Sequence, residues 1–257
     1  MSKIAIASWK RWSPTAYLRE FYVGEVVPDE IETIAFLVKL AKKIPVGQKI
    51  LEFGCGPTLH HIFPFVPYVS EIHMVDFLKS NLNEVNKWVS SIEGAHNWDK
   101  YIAYTLRCEG IKRITSRDIL KRRRETIKKI TSIEQADARR NNPLGKNIHE
   151  LYPIVISCYC ADSATNNHKD FKIFIRNIVS LLKPGGIFII ACLRKASYYR
   201  SGNLYFPSAN VDENLLRRIL EYDFSPKTIK IFTKRLTAHK EQGYTSIILA
   251  YATKNRK

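Results

Sequence analysis

The sequence is poor in the cysteine patterns that staple small secreted proteins or hold structural zinc. Its 257 residues include five cysteines, an odd number, and no two of them form a CxxC pair. Cys158 and Cys160 would share one face of a strand, but two thiolates without further ligands hold no metal tightly. We therefore expect reduced, buried thiols, no disulfide framework and no metal site.

Long apolar runs are also missing. The longest, residues 187–193, is far too short to cross a bilayer. The apolar residues 4–7 are followed at once by WKRW at 9–12, which is unlike a secretory signal. These shortages predict a cytoplasmic protein without a membrane contact, and the working expectation is a monomer.

Acidic residues are scarce relative to basic ones. The chain has 24 Asp and Glu against 41 Lys and Arg, a net charge of +17. Such an excess suits nucleic acid, an anionic membrane surface or an acidic substrate and does not choose between them. The densest run is KRRR at 121–124, with more cations at 128–129 and 139–140. Because no aromatic residues are interleaved there for base stacking, a solvated helix face is favoured over a nucleic-acid site.

The sequence does contain a regular alternation of apolar runs with helical patterns. Apolar runs predict strands at residues 49–53, 71–76, 130–135, 154–158 and 187–193. Apolar residues at helical spacing predict helices at residues 31–43, 78–89, 118–129, 171–182 and 214–222. This order predicts an α/β fold, a mainly parallel sheet covered by helices on both faces.

The two ends of the chain depart from that alternation. Strands predicted at 228–234 and 244–253 have no helix between them, only residues 237–243, which favours a closing antiparallel hairpin. The segment up to Pro28 predicts a lid over the core. We expect one domain over residues 1–257, with residues 1–30 as a helical lid and 31–257 as the core.

A glycine-rich turn follows the first predicted strand. In Gly54-Cys55-Gly56 a ligand can approach the backbone closely, and a following helix would offer free N–H groups to a carboxylate or phosphate. Pro57-Thr58-Leu59 occupies the place where a dinucleotide-binding loop would have its third glycine. The turn therefore favours a nucleoside over a pyrophosphate, with an ordinary strand-to-helix turn as the alternative.

Three more side chains stand at predicted strand ends. Asp76 ends the second strand, where an acid can accept hydrogen bonds from both ribose hydroxyls. Asp137 follows the third strand, in position for an adenine amino group, and Cys158 ends the fourth, beside the place of a sulfur atom. Because parallel strands end at one edge of a sheet, these residues predict a single nucleoside pocket.

Several motifs together match one known family. They are YLREFY at 17–22, ILEFGCGPT at 50–58, LLKPGG at 181–186 and SYY at 197–199. Through them the chain resembles the N-methyltransferases of nicotinamide, phenylethanolamine and indole- or thioether-type amines. These enzymes are a branch of the class I methyltransferases, whose sheet is Rossmann-like and seven-stranded. LLKPGG is common to many methyltransferases, whereas the first and last motifs are far more specific.

The resemblance implies that S-adenosylmethionine is the cofactor and that the methyl acceptor is a small molecule. Tyr17 and Tyr22 would close over the cofactor. Gly54 and Gly56 would line its methionine part, with Cys158 nearby, Asp76 and Asn81 would take the ribose, and Asp137 and Ala138 would take the adenine. Cys55, Thr58 and Phe77 are further expected cofactor contacts. His60 stands where the family commonly has a tyrosine, and its ring would touch the cofactor carboxylate; a surface histidine is the alternative.

The acceptor side departs from the family pattern. By the resemblance, the acceptor would meet Tyr17, Tyr199, Cys192, Ala196 and Ser208. Nicotinamide enzymes carry an aspartate at the place of Cys192, and phenylethanolamine enzymes a glutamate at the place of Ala196. Both carboxylates are missing here and Arg194 is nearby, so we expect a neutral or anionic acceptor other than nicotinamide.

The expected reaction is methyl transfer to nitrogen. A sulfonium already activates the methyl group, so the protein mainly holds the acceptor in line at about 3 Å and excludes water. His60, His61, Asp162 and Tyr199 are the candidates for a base. Tyr199 and Asp162 are the expected catalytic residues, although a helix N-cap is an equally good interpretation of Asp162.

Two other functions stay open. A nucleic-acid methyltransferase would use the basic run, but the strand end at 157–160 lacks the Asn/Asp-Pro-Pro-aromatic sequence typical of enzymes that methylate base amino groups. An enzyme that cyclises or cleaves S-adenosylmethionine would keep the cofactor pocket and need no acceptor.

Overall fold

Helices and strands alternate along most of the chain, as the sequence pattern predicted. The computed structural model describes residues 5–145, 150–236 and 242–256. Its helices are α1 (Pro14–Phe21), α2 (Pro28–Ala41), α3 (Lys79–Val89), α4 (Asp99–Glu109), α5 (Ser116–Lys129), α6 (His168–Ser180) and α7 (Glu213–Leu220). Its strands are β1 (Gln48–Phe53), β2 (Val69–Asp76), β3 (Ile130–Gln135), β4 (Tyr152–Cys158), β5 (Leu182–Leu193), β6 (Tyr198–Ser201), β7 (Leu204–Pro207), β8 (Lys230–Arg235) and β9 (Ser246–Thr253).

Seven of these strands form one sheet in the order β3-β2-β1-β4-β5-β9-β8. The first five strands run parallel, and β9 lies antiparallel between β5 and β8. This confirms the predicted Rossmann-like sheet and its C-terminal antiparallel pair. The predicted connection at 237–243 falls largely outside the described residues. The strand order proceeds in one direction from β1 to β3 and in the other direction from β4 onward. A crevice therefore opens between β1 and β4 at the carboxyl ends of these central strands.

Alternating side chains of the central strands feed two separate cores. On β1, Ile50 packs on the face covered by α2, α3 and α4, whereas Leu51 packs on the face covered by α6 and α7. Strands buried on both sides read as continuous apolar runs, which is why the sequence revealed them. The predicted coverage of both faces is confirmed. Among the described helices, none is both long and apolar enough to cross a bilayer.

The segment after the glycine-rich turn differs from the prediction. We expected an α-helix there, but the described chain forms successive tight turns and a short 3₁₀ turn, Phe63–Phe65. Pro64 lacks an N–H group, and its ring would clash with the carbonyl four residues earlier in an α-helix. The residues from Leu59 to Val66 are buried all round, so no polar helix face exists for solvent.

Other local features also escaped the sequence analysis. Helix α4 and the β6–β7 hairpin, which carries Tyr199, were not expected. The strand predicted at 187–193 begins earlier than expected, because β5 starts at Leu182 and includes the run Lys183-Pro184-Gly185-Gly186. There it bulges away from β4, since pairing steps from Leu182 directly to Ile187.

The basic helix α5 is only partly a solvated surface. Arg122 is buried and donates hydrogen bonds to both carboxylate oxygens of Glu109, at 2.8 and 2.7 Å, and to the Phe63 carbonyl at 2.8 Å. Lys129 donates to the carbonyls of Val66 and Val69, at 2.6 Å each. These two cations tie α5 to α4 and to the chain before β2. The expectation of a merely solvated face is therefore wrong for them.

Replacing Arg122 with alanine should strongly destabilise the fold. The change leaves the Glu109 carboxylate and the Phe63 carbonyl without their donor. Removing one partner of a buried ion pair typically costs about 3–5 kcal/mol of stability. Arg124→Ala, on the exposed face of the same helix, should change the free energy of unfolding by about 0.5 kcal/mol or less. Urea unfolding of both variants checks this, and equal losses would contradict a structural role for Arg122.

Candidate functional site

A cavity of about 1080 Å³, counted with its open mouth, lies at the carboxyl ends of β1, β2 and β4. It occupies the crevice where the strand order reverses, the usual ligand position in such sheets. Its floor is formed by the glycine-rich turn and the ends of the strands, and aromatic side chains of the N-terminal segment cover it. The covering residues are Trp9, Trp12, Tyr17 and Tyr22.

The glycine-rich turn needs its glycines for different reasons. Gly54 has φ +74°, and a Cβ there would lie 2.0 Å from the Cys160 sulfur. Gly56 has φ +60°, and the space that its Cβ would fill is open. Both values lie in the left-handed region, where an L side chain is strained. The first glycine thus permits close packing, and the second leaves room for a ligand against the backbone.

Asp76 connects three parts of the cavity wall. Its Oδ2 accepts a hydrogen bond from the Gly56 N–H at 2.9 Å, and its Oδ1 accepts from the Leu78 N–H at 2.8 Å and the Asn81 amide at 3.0 Å. Burial raises the pKa of this carboxyl, while these donors lower it. The Asn81 oxygen in turn accepts from the Trp12 indole at 2.8 Å. Asn81 therefore joins Asp76 to the aromatic cover.

Asp137 lies at the rim of the cavity, held by arginine. The Arg139 guanidinium donates to both of its oxygens at 2.8 Å, and this ion pair holds the pKa of Asp137 below its ordinary value. The same guanidinium lies 4.5 Å from the centre of the Phe77 ring. Phe77 and Ala138 also line the cavity. In this arrangement the Asp137 carboxylate is already paired before any ligand reaches it.

The aromatic cover forms one connected cluster. The hydroxyls of Tyr17 and Tyr22 lie 3.2 Å apart, and the rings of Trp12 and Tyr17 have centres 4.8 Å apart. Tyr199, on β6, stacks on Phe206, which also stacks on Trp9. Burial raises the pKa of Tyr17 and of Tyr199, so both hydroxyls stay neutral. A neutral, largely apolar wall of this kind excludes water from whatever it encloses.

Four buried ionisable residues lie beside the cavity, and we call them the His–Glu cluster: Glu30, Glu52, His60 and His61. Glu30 lies 2.9 Å from His60 Nε2 and 3.2 Å from His61 Nε2, and Glu52 lies 3.1 Å from His61 Nδ1. Burial lowers the pKa of His60 to about 4. Burial also lowers that of His61, but Glu30 and Glu52 outweigh it and raise the value to about 10. Glu30 and His61 line the cavity.

The sequence-predicted residues divide into two groups by position. Those that line the cavity are Tyr17, Tyr22, Gly54, Cys55, Gly56, Thr58, Asp76, Phe77, Asn81, Asp137, Ala138, Cys158 and Tyr199. Those outside its lining are His60, Asp162, Cys192, Ala196 and Ser208, all buried. Cys192 lies on the other face of the sheet because side chains alternate along β5, and it packs in the core covered by α6 and α7.

Asp162 lies behind the wall rather than in it. Its Oδ2 accepts a hydrogen bond from the Leu193 N–H at 2.8 Å, at the end of β5. Burial raises the pKa of this carboxyl to about 7. Its contacts are those of a residue that fixes the strand end.

Sequence reasoning missed several residues of the wall. Trp9, Trp12, Glu30, Cys160 and Arg139 line the cavity without having been expected there. For Glu30 a signal existed, because it shares the buried stripe of α2 with Ile34, Leu37 and Ala41. An acid on such a stripe needs a buried partner.

Comparison with known proteins places this geometry in a family. The family model described as "NNMT/PNMT/TEMT family" matches residues 4–255. Human nicotinamide N-methyltransferase is 28% identical over 203 residues, covering 77% of this chain and 75% of the relative. Human phenylethanolamine N-methyltransferase is 26% identical over 228 residues, covering 84% and 79%.

A solved structure supports the fold independently of sequence identity. The N-methyltransferase NodS from Bradyrhizobium japonicum WM9, in complex with S-adenosyl-L-homocysteine, superposes with a TM-score of 0.55 at 14% identity, covering 93% of this chain and 98% of NodS. The sheet and the cavity at its switch point agree with the family match, which covers nearly the whole chain. The chain belongs to the NNMT/PNMT/TEMT family of S-adenosylmethionine-dependent methyltransferases.

Proposed function

We propose that this enzyme methylates a nitrogen atom of a small molecule other than nicotinamide, held between Tyr199 and the aromatic cover. The observation that carries the proposal is one continuous cavity whose lining includes Gly56, Asp76, Tyr17 and Tyr199. The residues suited to a nucleoside cofactor and those suited to a small acceptor therefore face the same space.

The residues of the cradle suit S-adenosylmethionine. The open space beside Gly56 admits a ligand against the backbone, and Oδ2 of Asp76 carries a single protein hydrogen bond. We assign the ribose to Asp76, with Asn81 positioning that carboxylate, and the adenine end to Phe77, Asp137 and Ala138. Gly54, Cys55, Thr58, Tyr22 and Cys158 would surround the methionine part. When bound, the cofactor supplies an electrophilic methyl group.

The charges of the cavity wall support a neutral acceptor. Three acids line the cavity among the described residues. Glu30 is engaged by histidines and Asp137 by Arg139, and Asp76 accepts from three N–H donors and has its remaining capacity assigned to the ribose. A cationic amine would need a carboxylate with spare capacity near Tyr199. The two curated relatives are named for N-methylation of nicotinamide and phenylethanolamine, which supports nitrogen as the methylated atom.

The nucleic-acid alternative gains no support from the position of the basic run. The residues of α5 do not line the cavity, and Arg122, Arg123 and Lys129 are engaged by groups of the fold. Lys121, Arg124 and Lys128 remain exposed. Cyclisation or cleavage of S-adenosylmethionine would appear as turnover without an acceptor, so an incubation with the cofactor alone separates it from methyl transfer.

Asp76→Asn should weaken cofactor binding. The amide loses charge-assisted hydrogen bonds worth about 1.5–3 kcal/mol each, so the affinity should fall about 10- to 100-fold. Calorimetric titration with S-adenosylhomocysteine measures it. The matched control is Asp212→Asn at the N-cap of α7, where asparagine caps equally well. Equal affinities of wild type and Asp76→Asn would remove the ribose assignment.

Tyr199→Ala should separate acceptor binding from cofactor binding. After an acceptor screen with mass detection, we expect the KM for the acceptor to rise about tenfold or more, because a ring contact is lost. The affinity for S-adenosylhomocysteine should stay within about threefold. Tyr205→Ala, on β7 and outside the cavity lining, is the control. Productive turnover of nicotinamide by the wild type would contradict the proposed acceptor class.

Asp162→Asn should change how stability depends on pH. The folded-state pKa of about 7 exceeds the ordinary value of 3.8. The folded protein therefore keeps a proton that the unfolded chain releases between about pH 4 and pH 7, and stability from this group falls as the pH rises through that window. The neutral amide removes this loss. Urea unfolding at pH 5 and pH 8 should show the variant gaining on wild type at pH 8, and parallel pH curves would contradict it.

A further inference from the structure

The His–Glu cluster has the spacing of metal ligands. One nitrogen or oxygen from each of Glu30, His60 and His61 lies within 4.8 Å of the others. Glu30 Oε1 lies 2.9 Å from His60 Nε2, and Glu30 Oε2 lies 3.2 Å from His61 Nε2. Ligand atoms of a tetrahedral ion with bonds of 2.0–2.1 Å lie about 3.3 Å apart. Both contacts are close to that separation, and a ligand pair at the 4.8 Å limit of the set would close by about 1.5 Å on binding an ion.

His60 supplies a second, independent observation. Its side chain is fully buried, yet neither ring nitrogen makes a hydrogen bond, although Glu30 lies only 2.9 Å from Nε2. An unsatisfied buried polar group costs about 1–3 kcal/mol, so native structures rarely keep one without a reason. A metal ion bonded to Nε2 would give this ring a well-aligned partner, which the Glu30 contact does not provide.

Glu52 completes the arrangement from the far side of His61. Its Oε1 lies 3.1 Å from His61 Nδ1, while His61 Nε2 is directed to Glu30. A carboxylate on the second ring nitrogen is the usual support of a metal-bound histidine, because it fixes the tautomer and the ring orientation. Both glutamates are almost fully buried, at 2% and 1% exposed.

We propose that Glu30, His60 and His61 bind one divalent transition-metal ion, with Glu52 orienting His61. Two imidazoles and a carboxylate favour zinc over magnesium or calcium, which prefer oxygen ligands. Glu30 and His61 line the cavity, so the fourth coordination position opens toward it and takes water or a lone-pair donor. The site goes beyond the proposed methyl transfer and replaces the expectation of no metal, which considered cysteine ligands only.

The test measures metal binding by the full chain without an affinity tag. After chelator treatment and dialysis, the protein is titrated with Zn²⁺, and Co²⁺ is added separately as a spectroscopic probe. We expect one ion per chain and the visible absorption of four-coordinate cobalt. Zinc should also raise the melting temperature, since the ion binds only the folded chain.

Matched variants assign the ligands. Glu30→Gln and His60→Phe keep side-chain size and should lower the Zn²⁺ affinity about 100-fold or more, whereas Glu52→Gln should lower it about 10- to 100-fold. His168→Gln, an exposed histidine at the start of α6, should leave the affinity unchanged. Circular dichroism confirms folding of each variant, and two independent ligand changes keep the test informative if one fails to fold.

Three results would overturn the proposal: no stoichiometric ion in the wild type, cobalt absorption of an octahedral aqua ion only, or an equal loss of affinity in His168→Gln. In that case the cluster is an ion-pair network. Because these readouts do not involve methyl transfer, they leave the proposed function untouched whichever way they fall.

Discussion

The buried carboxylate of Asp76 is the constraint on which the site depends. It accepts from the glycine-rich turn, from the first residues before α3 and from Asn81, whose oxygen holds Trp12. Burial raises the pKa of this enclosed carboxyl, and the surrounding N–H donors oppose that effect. The same bonds fix the turn, the helix start and the aromatic cover relative to one another. The carboxylate of Asp76 is therefore needed both to hold these parts in position and to place a hydrogen-bond acceptor in the cavity wall.

The sequence predicted those site residues whose positions are fixed by the ends of the strands. Gly54, Gly56 and Asp76 follow strands whose continuous apolar runs are visible, and parallel strands bring their ends together. We expected a helix after Gly56, and this was wrong. The segment is buried on all sides and contains Pro64, and the spacing of its apolar residues does not show this. Trp12 and Arg139 were missed since their contacts depend on tertiary placement of loops, which spacing does not encode.

The His–Glu cluster shows the same limit from another side. His60 and His61 are neighbours in sequence, but Glu30 comes from α2 and Glu52 from β1. The apolar stripe of α2 could have revealed that Glu30 is buried. The sequence does not indicate, however, which residues of the sheet and its loops lie next to it. Likewise Cys192 was placed near the acceptor by resemblance, whereas alternation along β5 turns it to the opposite core. Family likeness predicted the cofactor correctly, and the acceptor contacts stay a prediction.

The aromatic cover and the cradle come from different parts of the chain. Trp9, Trp12 and Tyr17 come from the first part of the chain, whereas the cradle comes from the sheet that holds the fold together. The hydrogen bond from Trp12 to Asn81 joins the two parts, and Tyr22 of the cover is itself buried in the core. Trp9, in contrast, lines the cavity and is only half-buried, so a substitution there changes the cavity wall at a position outside the core.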